Sequence, residues 1–129
     1  MKQTIGAIAL IVPDYDAAIE FYVKKLNFDL IEDTTLSQDK RWVLVAPKGS
    51  SETRLLLAKA DGAEQSAAIG CQAGGRVFLF LKTDDFDRDH KAMTSKGVAF
   101  LEEPRSEPYG KVAVFQDPFG NKWDLIQHS

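Results

Sequence analysis

The chain contains little cysteine, no excess of positive charge and no long apolar run. Its single cysteine, Cys71, cannot form an internal disulfide, and nothing else indicates an oxidising compartment, so we expect a cytoplasmic protein. The net charge of -3 and the pI near 5.3 provide no basic field for a phosphate backbone, which argues against nucleic acid as a partner. No segment approaches the roughly 18 apolar residues of a membrane helix, so we expect no membrane partner either.

The apolar pattern divides the chain into two similar halves within one predicted domain, residues 1–129. In each half an apolar strand-like segment precedes a segment with helical spacing, and three further strand-like segments follow. The first half predicts strands at 4–12, 28–35, 41–46 and 54–59 and a helix at 16–26; the second predicts strands at 76–82, 98–102, 111–116 and 122–127 and a helix at 85–96. The pattern therefore predicts an α+β fold with a βαβββ module at 1–59, a connector at 60–75, and a second module at 76–129.

An alignment of the two halves supports a duplication. A shift of 71 residues places Asp14-Tyr15-Asp16 on Asp85-Phe86-Asp87, and a shift of 68 places TRLLLAK (53–59) on NKWDLIQ (121–127). The shift changes only across predicted turns, where loops absorb differences in length. We interpret the chain as a tandem repeat of one module.

The duplicated βαβββ order, the opening IALIVPDYDAAIEFYVKKLNF and the closing DPFGNKWDLIQ resemble the vicinal oxygen chelate superfamily of glyoxalases, bleomycin-resistance proteins and extradiol dioxygenases. The resemblance covers essentially the whole chain. It implies two modules whose curved sheets form an open, barrel-like sheet around a pocket, usually completed in a homodimer. It does not imply one activity, because function depends on particular residues of a scaffold that hosts many chemistries.

The resemblance also identifies four positions at which the metalloenzymes of this superfamily carry a histidine or an acidic ligand. In this chain the first-strand positions hold Ala7 and Phe78, and the last-strand positions hold Leu56 and Asp124. Three of these side chains have no lone pair to donate, whereas a catalytic divalent metal usually needs about three protein ligands. We therefore expect no metal site and no cofactor.

Strand alternation predicts the residues that face the pocket, because side chains two positions apart share a face. Ala7 places Ala9 inward, Phe78 places Phe80 inward, and Leu56 places Arg54 inward. The loop EEPRSEPYG (102–110) is expected to lie over the pocket mouth. Arg105 and Tyr109 in this loop are either ligand contacts or loop residues without a functional role, and the sequence favours neither alternative. The complete predicted pocket consists of Ala7, Ala9, Arg54, Leu56, Phe78, Phe80, Arg105, Tyr109 and Asp124.

Asp124 and Arg54 carry the polar chemistry of this pocket. Asp124 is either a general base with a raised pKa, a metal ligand, or a carboxylate paired with Arg54, with Lys122 or with backbone near the DPFGN turn. Arg54 either binds a ligand carboxylate or is a solvated or paired side chain. His90 is expected to pack within its helix or to make a helix hydrogen bond, with acid/base chemistry as the alternative.

Two functional hypotheses follow. The first is a metal-free, glyoxalase-like binding protein for a small apolar or aromatic molecule, with Asp124 as the remnant of a ligand position. The second is a glyoxalase-type lyase or isomerase that uses Asp124 as its base, or a divalent metal (Zn, Ni, Mn or Fe) that the alignment does not reveal. The missing ligand side chains favour the first, and we expect a homodimer because the two sheets leave apolar surface to cover.

Overall fold

The computed structural model describes residues 2–129, which form two compact units, one extending to Ile69 and one comprising Gly70–Ser129. The strands are β1 (Ala7–Val12), β2 (Asp29–Thr35), β3 (Arg41–Ala46), β4 (Arg54–Lys59), β5 (Val77–Lys82), β6 (Ala99–Phe100), β7 (Arg105–Glu107), β8 (Gly110–Gln116) and β9 (Lys122–His128). The helices are α1 (Tyr15–Ile19), continued by a π-helical segment (Glu20–Lys25), then α2 (Gly62–Ala68) and α3 (Phe86–Ser95). Among the described residues no helix is long and apolar enough to cross a membrane.

The first unit is a four-stranded sheet in the order β1-β4-β3-β2, with α1 and its π-helical continuation on one face. β1 and β4 are parallel, while β4, β3 and β2 are antiparallel neighbours. The alternating residues Leu10, Leu57 and Val43 share the buried face, as expected for a sheet covered on one side only. The opposite face of this sheet is open.

The second unit repeats the arrangement with the strand order β5-β9-β8-β6, and β7 also pairs with β8. β5 and β9 are parallel, and β9, β8 and β6 are antiparallel neighbours. Leu125, Phe115 and Trp123 are buried on the helix side, with the rings of Phe115 and Trp123 stacked at 5.8 Å between centroids. Asp124 lies between two of these buried residues in the strand and therefore points to the other face.

The two helix starts are capped in the same way. The carboxylate of Asp14 accepts a hydrogen bond from the Ala17 amide at 2.8 Å, and that of Asp85 accepts one from the Arg88 amide at 3.1 Å. Each aspartate satisfies a backbone donor that the first helical turn leaves unpaired. The shift of 71 residues thus joins two positions with one structural role.

The α+β class is confirmed, with two open sheets and three helices. The described residues contain two elements, α2 and β7, that the sequence did not predict. The connector contains α2, which lacks a clear apolar period because none of its residues is buried. The segment expected as a plain loop contains β7, because Arg105 and Glu107 pair with β8 in a short hairpin.

Candidate functional site

The face of the second sheet opposite the buried Trp123 and Leu125 carries an aromatic ring beside a carboxylate. Phe80 of β5 and Val114 of β8 are the direct cross-strand neighbours of Asp124, which lies on the strand between them. Directly opposed residues of paired strands share one face, so these three side chains are adjacent. We call this set of residues the Asp124 face, in which Phe80 is exposed, Val114 and Asp124 are half-buried, and Val112 and Ile126 are buried.

Phe80 is the most exposed aromatic residue of this face, with 63% of its surface accessible. A solvated phenylalanine ring forgoes the favourable burial of a large apolar area, so it offers a flat surface for another aromatic group. Phe78 was expected to share this face by simple alternation. The pairing of β5 with β9 has a register irregularity between Val77 and Leu79, so Phe78 has no direct partner on β9 and lies half-buried.

The carboxylate of Asp124 is buried at one oxygen and lacks a partner there. Its Oδ1 accepts no hydrogen bond from residues 2–129. Burial raises the pKa of Asp124, the positive charge of Arg105 opposes this shift, and the negative charge of Glu102 adds to it. The side chain is therefore poised to accept a hydrogen bond from a bound molecule or to hold a proton.

Arg105 and Tyr109 occupy the hairpin beside this face. The guanidinium of Arg105 donates from Nε to Glu102 at 3.0 Å and from Nη1 to Glu107 at 2.9 Å. Hydrogen bonding to Tyr109, and then to the two glutamates, raises the pKa of Arg105 above its ordinary value. Arg105 is thus engaged within its own hairpin, while half of the surface of Tyr109 is accessible.

Glu102 is a site residue that the sequence reasoning did not select. Its Oε2 accepts the backbone amide of Val114 at 3.1 Å as well as Nε of Arg105. It connects the hairpin to the strand that borders Asp124, and its charge acts on that carboxylate. The role of Glu102 depends on how the segment near residue 101 pairs with β8. The sequence of this short connection, which contains two prolines, does not determine that register.

The DPFGN turn holds its own polar groups in place. Asp117 is buried and accepts hydrogen bonds from the amides of Phe119 at 2.9 Å and Asn121 at 2.8 Å, and from the side-chain amide of Asn121 at 2.7 Å. These bonds stabilise the turn that precedes β9. The turn therefore sets the start of the strand that carries Asp124, and its own aspartate has a structural role.

The open face of the first unit contains the other predicted pocket residues. Ala7 and Ala9 of β1 are exposed, and they lie opposite Arg54 and Leu56 of β4, which are half-buried. Trp42 of β3 is 39% exposed. We call this second surface the Arg54 face: Ala7, Ala9, Trp42, Leu44, Arg54 and Leu56.

Arg54 resembles Asp124 in having an unsatisfied buried atom. Its Nε is buried and donates to no acceptor among residues 2–129. Of all side-chain nitrogen and oxygen atoms in this part of the chain, Arg54 Nε and Asp124 Oδ1 are the two buried ones without a partner. Native proteins pair nearly all such groups, so these two atoms are places where water or a bound molecule can supply the hydrogen bond.

His90 packs between two aromatic rings. Its ring centroid lies 5.5 Å from that of Phe86 and 4.3 Å from that of Phe100. The structural role expected for His90 is confirmed by these contacts.

The residues present do not fit a metal centre of the superfamily type. No group of three or more histidine, cysteine, aspartate or glutamate side chains is placed to hold a metal ion within residues 2–129. At the superfamily's ligand positions the chain has Ala7, Leu56 and Phe78, which donate no lone pair. Asp124 alone offers oxygen ligands there, and one carboxylate is an incomplete coordination shell.

The chain matches one family model and several solved structures. The model of the Glyoxalase/Bleomycin resistance protein/Dioxygenase superfamily matches residues 4–125. A protein of Shewanella frigidimarina (strain NCIMB 400) is 60% identical over 128 residues, covering 98% of this chain and 95% of that protein. The structure of UcmS2 superposes with a TM-score of 0.84 at 28% identity and covers 98% of both chains. That of TnmS3, an antibiotic binding protein from Streptomyces sp. CB03234, superposes with a TM-score of 0.81 at 33% identity and covers 100% of this chain and 98% of that one.

Proposed function

The chain belongs to the Glyoxalase/Bleomycin resistance protein/Dioxygenase superfamily, and on that premise we propose that it is a metal-free binding protein for a small apolar or aromatic molecule. The observation that carries this proposal is the Asp124 face, where an exposed phenylalanine ring lies beside a buried, unpaired carboxylate oxygen. Small-molecule sites combine mostly apolar lining with a few polar groups that orient the ligand. The Asp124 face has both components.

A ligand on the Asp124 face gains binding free energy from both Phe80 and Asp124. Covering the ring of Phe80 removes apolar surface from water, at roughly 25 cal/mol per Å². Supplying a donor to Asp124 relieves the cost of a buried acceptor without a hydrogen bond, which is about 1 to 3 kcal/mol. A single ligand provides both stabilising effects, whereas water alone provides only the second.

The relatedness to TnmS3 supports the same class of function. TnmS3 is an antibiotic binding protein, and its similarity extends over the full length of this chain. For the present chain we propose the coarser ligand class, an apolar or aromatic metabolite or drug. The donor set argues for binding without a metal, because three of the four superfamily ligand positions hold hydrocarbon side chains.

A second candidate function, a glyoxalase-type lyase or isomerase, is favoured by one observation. Burial raises the pKa of Asp124, which brings a carboxylate closer to the range in which a general base operates at neutral pH. In this alternative Asp124 removes a proton from a carbon of the bound substrate and returns it to another atom.

The proposal includes a cytoplasmic homodimer. In the first unit, Leu30, Ile31 and Leu36 are exposed in or beside β2, an edge strand of its sheet. A symmetric contact with a second copy covers such an edge and its apolar side chains. The sequence has a single cysteine, Cys71, which cannot form an internal disulfide, and this suits a reducing compartment. Native mass measurement and fractionation of cells test these two points separately.

The test of the proposed function combines ligand screening with metal analysis of the purified protein. Thermal unfolding is measured against a library of aromatic antibiotics and metabolites, and hits are titrated against Phe80→Ala and Ile5→Ala variants. Phe80→Ala is expected to lose most of the affinity, while Ile5→Ala, which removes a similarly exposed apolar side chain in the first unit, retains it.

The fate of each hit separates the two functions. A hit recovered unchanged, as judged by its NMR spectrum after prolonged incubation, supports a binding protein. Conversion that disappears in Asp124→Asn supports the lyase or isomerase. One stoichiometric metal ion in the purified protein, or the absence of any stabilising hit, contradicts the proposal.

A further inference from the structure

We infer that the ligand of the Asp124 face presents a hydrogen-bond donor, an amine or a hydroxyl group, to the carboxylate of Asp124 while its aromatic ring lies on Phe80. This inference rests on the proposed function and specifies its ligand class. It further implies that an anionic group at the same position of the ligand is rejected.

The position of Asp124 in the sheet directs its side chain to the face that carries Phe80. β9 lies between β5 and β8, so Asp124 has a neighbour on each side, Phe80 and Val114, and neither carries a hydrogen-bonding side chain. The adjacent residues Trp123 and Leu125 are buried on the opposite face of the sheet. The buried Oδ1 therefore faces an apolar surface from which no donor of residues 2–129 reaches it.

Arg105 carries a positive charge that lowers the pKa of Asp124, but it already forms hydrogen bonds within its own hairpin. Its Nε donates to Glu102 at 3.0 Å and its Nη1 donates to Glu107 at 2.9 Å. Breaking either pair to reach Asp124 would exchange one charge-assisted hydrogen bond for another without net gain. The carboxylate therefore obtains its donor more readily from a ligand than from this arginine.

Two lysines share the strand face with Asp124 and do not donate to it. Lys122 is two residues earlier in β9, and its Nζ donates to the backbone carbonyl of Gly75 at 3.2 Å. Lys82 lies opposite Ile126 toward the end of β5 and is exposed. The flexible ammonium groups of both side chains remain near solvent, where an ion pair contributes little.

The negative charge of Asp124 favours a ligand group that donates a hydrogen bond over an anionic group. Arg105 lowers the pKa of Asp124 and Glu102 raises it, so the charges around the carboxylate offset one another in part. A ligand carboxylate in this place meets like charges in a partly desolvated setting, which is unfavourable. A neutral hydroxyl or an ammonium group meets an acceptor with an unused lone pair instead.

The experiment uses three probes with one ring system: 1-naphthylmethylamine, 1-methylnaphthalene and 1-naphthylacetate. Each is titrated into the full chain while backbone amide resonances are followed by NMR. The amine is expected to bind about tenfold or more tightly than 1-methylnaphthalene, since a hydrogen bond to a charged group is among the stronger ones. The acetate is expected to bind more weakly than either, and resonances of Phe80 and its β9 neighbours are expected to shift with the amine.

Variants separate the ring contact from the donor contact. Asp124→Ala is expected to abolish the tenfold preference for the amine and to leave the affinity for 1-methylnaphthalene within about twofold. Phe80→Ala is expected to weaken both probes by a similar factor. Glu103→Gln, which removes an exposed carboxylate near the hairpin, serves as the matched charge control and is expected to change neither. A folded-state spectrum for each variant distinguishes loss of binding from loss of structure.

The outcomes distinguish this inference from the function on which it rests. Equal affinity of the amine and 1-methylnaphthalene for the wild-type chain, or an amine preference that persists in Asp124→Ala, overturns the inference and leaves the binding function standing. If none of the three probes shifts a resonance of the Asp124 face, both are overturned. Tighter binding of the acetate than of the amine also overturns the inference.

Discussion

Phe80 and Asp124 lie directly opposite each other on the parallel strands β5 and β9, an exposed aromatic ring beside a carboxylate oxygen that no residue of 2–129 hydrogen-bonds. Neither feature stabilises the fold. The exposed ring forgoes the burial that stabilises an apolar side chain, and the buried oxygen has no donor among residues 2–129. A cross-strand pair with two unfavourable features suits recognition of a second molecule better than it suits folding.

We expect Asp124→Asn to stabilise the protein at neutral pH by on the order of 1 kcal/mol, because the variant no longer buries a charged oxygen without a partner. Burial raises the pKa of Asp124 in the folded protein above its value in the unfolded chain. The folded state therefore binds the proton more tightly, and the stability of the wild type falls as the pH rises through the interval between the two pKa values.

Urea unfolding of both proteins between pH 3 and pH 8 measures this effect. The difference in the free energy of unfolding between variant and wild type is expected to increase as the pH rises above the ordinary pKa range of aspartate, and to be largest at neutral pH. Asp39→Asn, which changes an exposed aspartate in the first unit, is the control. A wild type that is less stable at acidic pH, relative to the Asp124 variant, would contradict the expected sign.

Arg54→Met is expected to leave the free energy of unfolding unchanged or to raise it by about 1 kcal/mol. The substitution keeps a long apolar side chain and removes a buried Nε that has no acceptor among residues 2–129. If Arg54 binds a ligand carboxylate, the same variant loses affinity for anionic ligands that the wild type retains. Thermal unfolding and competition binding measure the two effects. A large loss of stability would mean that the guanidinium has a structural partner.

Asp117→Ala is expected to destabilise the second unit by about 3 kcal/mol. The carboxylate satisfies two backbone amides and the side-chain amide of Asn121 inside a buried turn, so its removal leaves several donors unpaired. Chemical denaturation measures the loss. Asp117→Asn retains one acceptor oxygen and should lose less, and a variant as stable as wild type would show that the turn does not depend on these bonds.

Gly70→Ala is expected to be much more destabilising than Gly74→Ala. Both glycines have positive φ, 75° for Gly70 and 66° for Gly74, so both substitutions incur a backbone cost of roughly 1 to 2 kcal/mol. A Cβ on Gly70 would lie 2.0 Å from the carbonyl oxygen of Phe119, whereas one on Gly74 meets open space. The difference in melting temperature between the variants isolates that contact, and equal losses would refute it.

Ala7→His is expected to change the free energy of unfolding by less than about 1 kcal/mol. Ala7 is exposed on the open face of β1, so a larger side chain has room and meets no overpacking cost. Thermal unfolding measures the change, with Ala18→His as the contrast because Ala18, a residue of α1, is fully buried. A similar loss in both variants would place Ala7 in a packed environment.

The superfamily resemblance, the strand and helix order, and the two helix caps follow from local features of the sequence. Asp14 and Asp85 precede amphipathic segments at equal spacing, so the repeat and the capping chemistry point to the same helix starts. Alternation also predicts that Asp124 points to the other face of the sheet from the buried Trp123 and Leu125, because the side-chain period of a strand is two.

Other features required the tertiary structure. The irregular pairing that leaves Phe78 without a partner on β9 depends on how two distant strands align. The alternation of residues within β5 does not specify that alignment. The engagement of Arg105 by Glu102 and Glu107 depends on the hairpin that pairs β7 with β8. The sequence showed a charged loop there, and only the fold decided which charges were already used.

The sequence by itself determined the duplicated module and the buried face of each sheet, because both depend on residue type and local period. It also determined that Ala7, Leu56 and Phe78 cannot coordinate a metal, because their hydrocarbon side chains have no lone pair to donate. The tertiary structure alone decided that Asp124 and Arg54 each bury an atom without a partner. Hydrogen-bond satisfaction is a property of three-dimensional neighbours brought together from separate strands, so no pattern along the chain reports it.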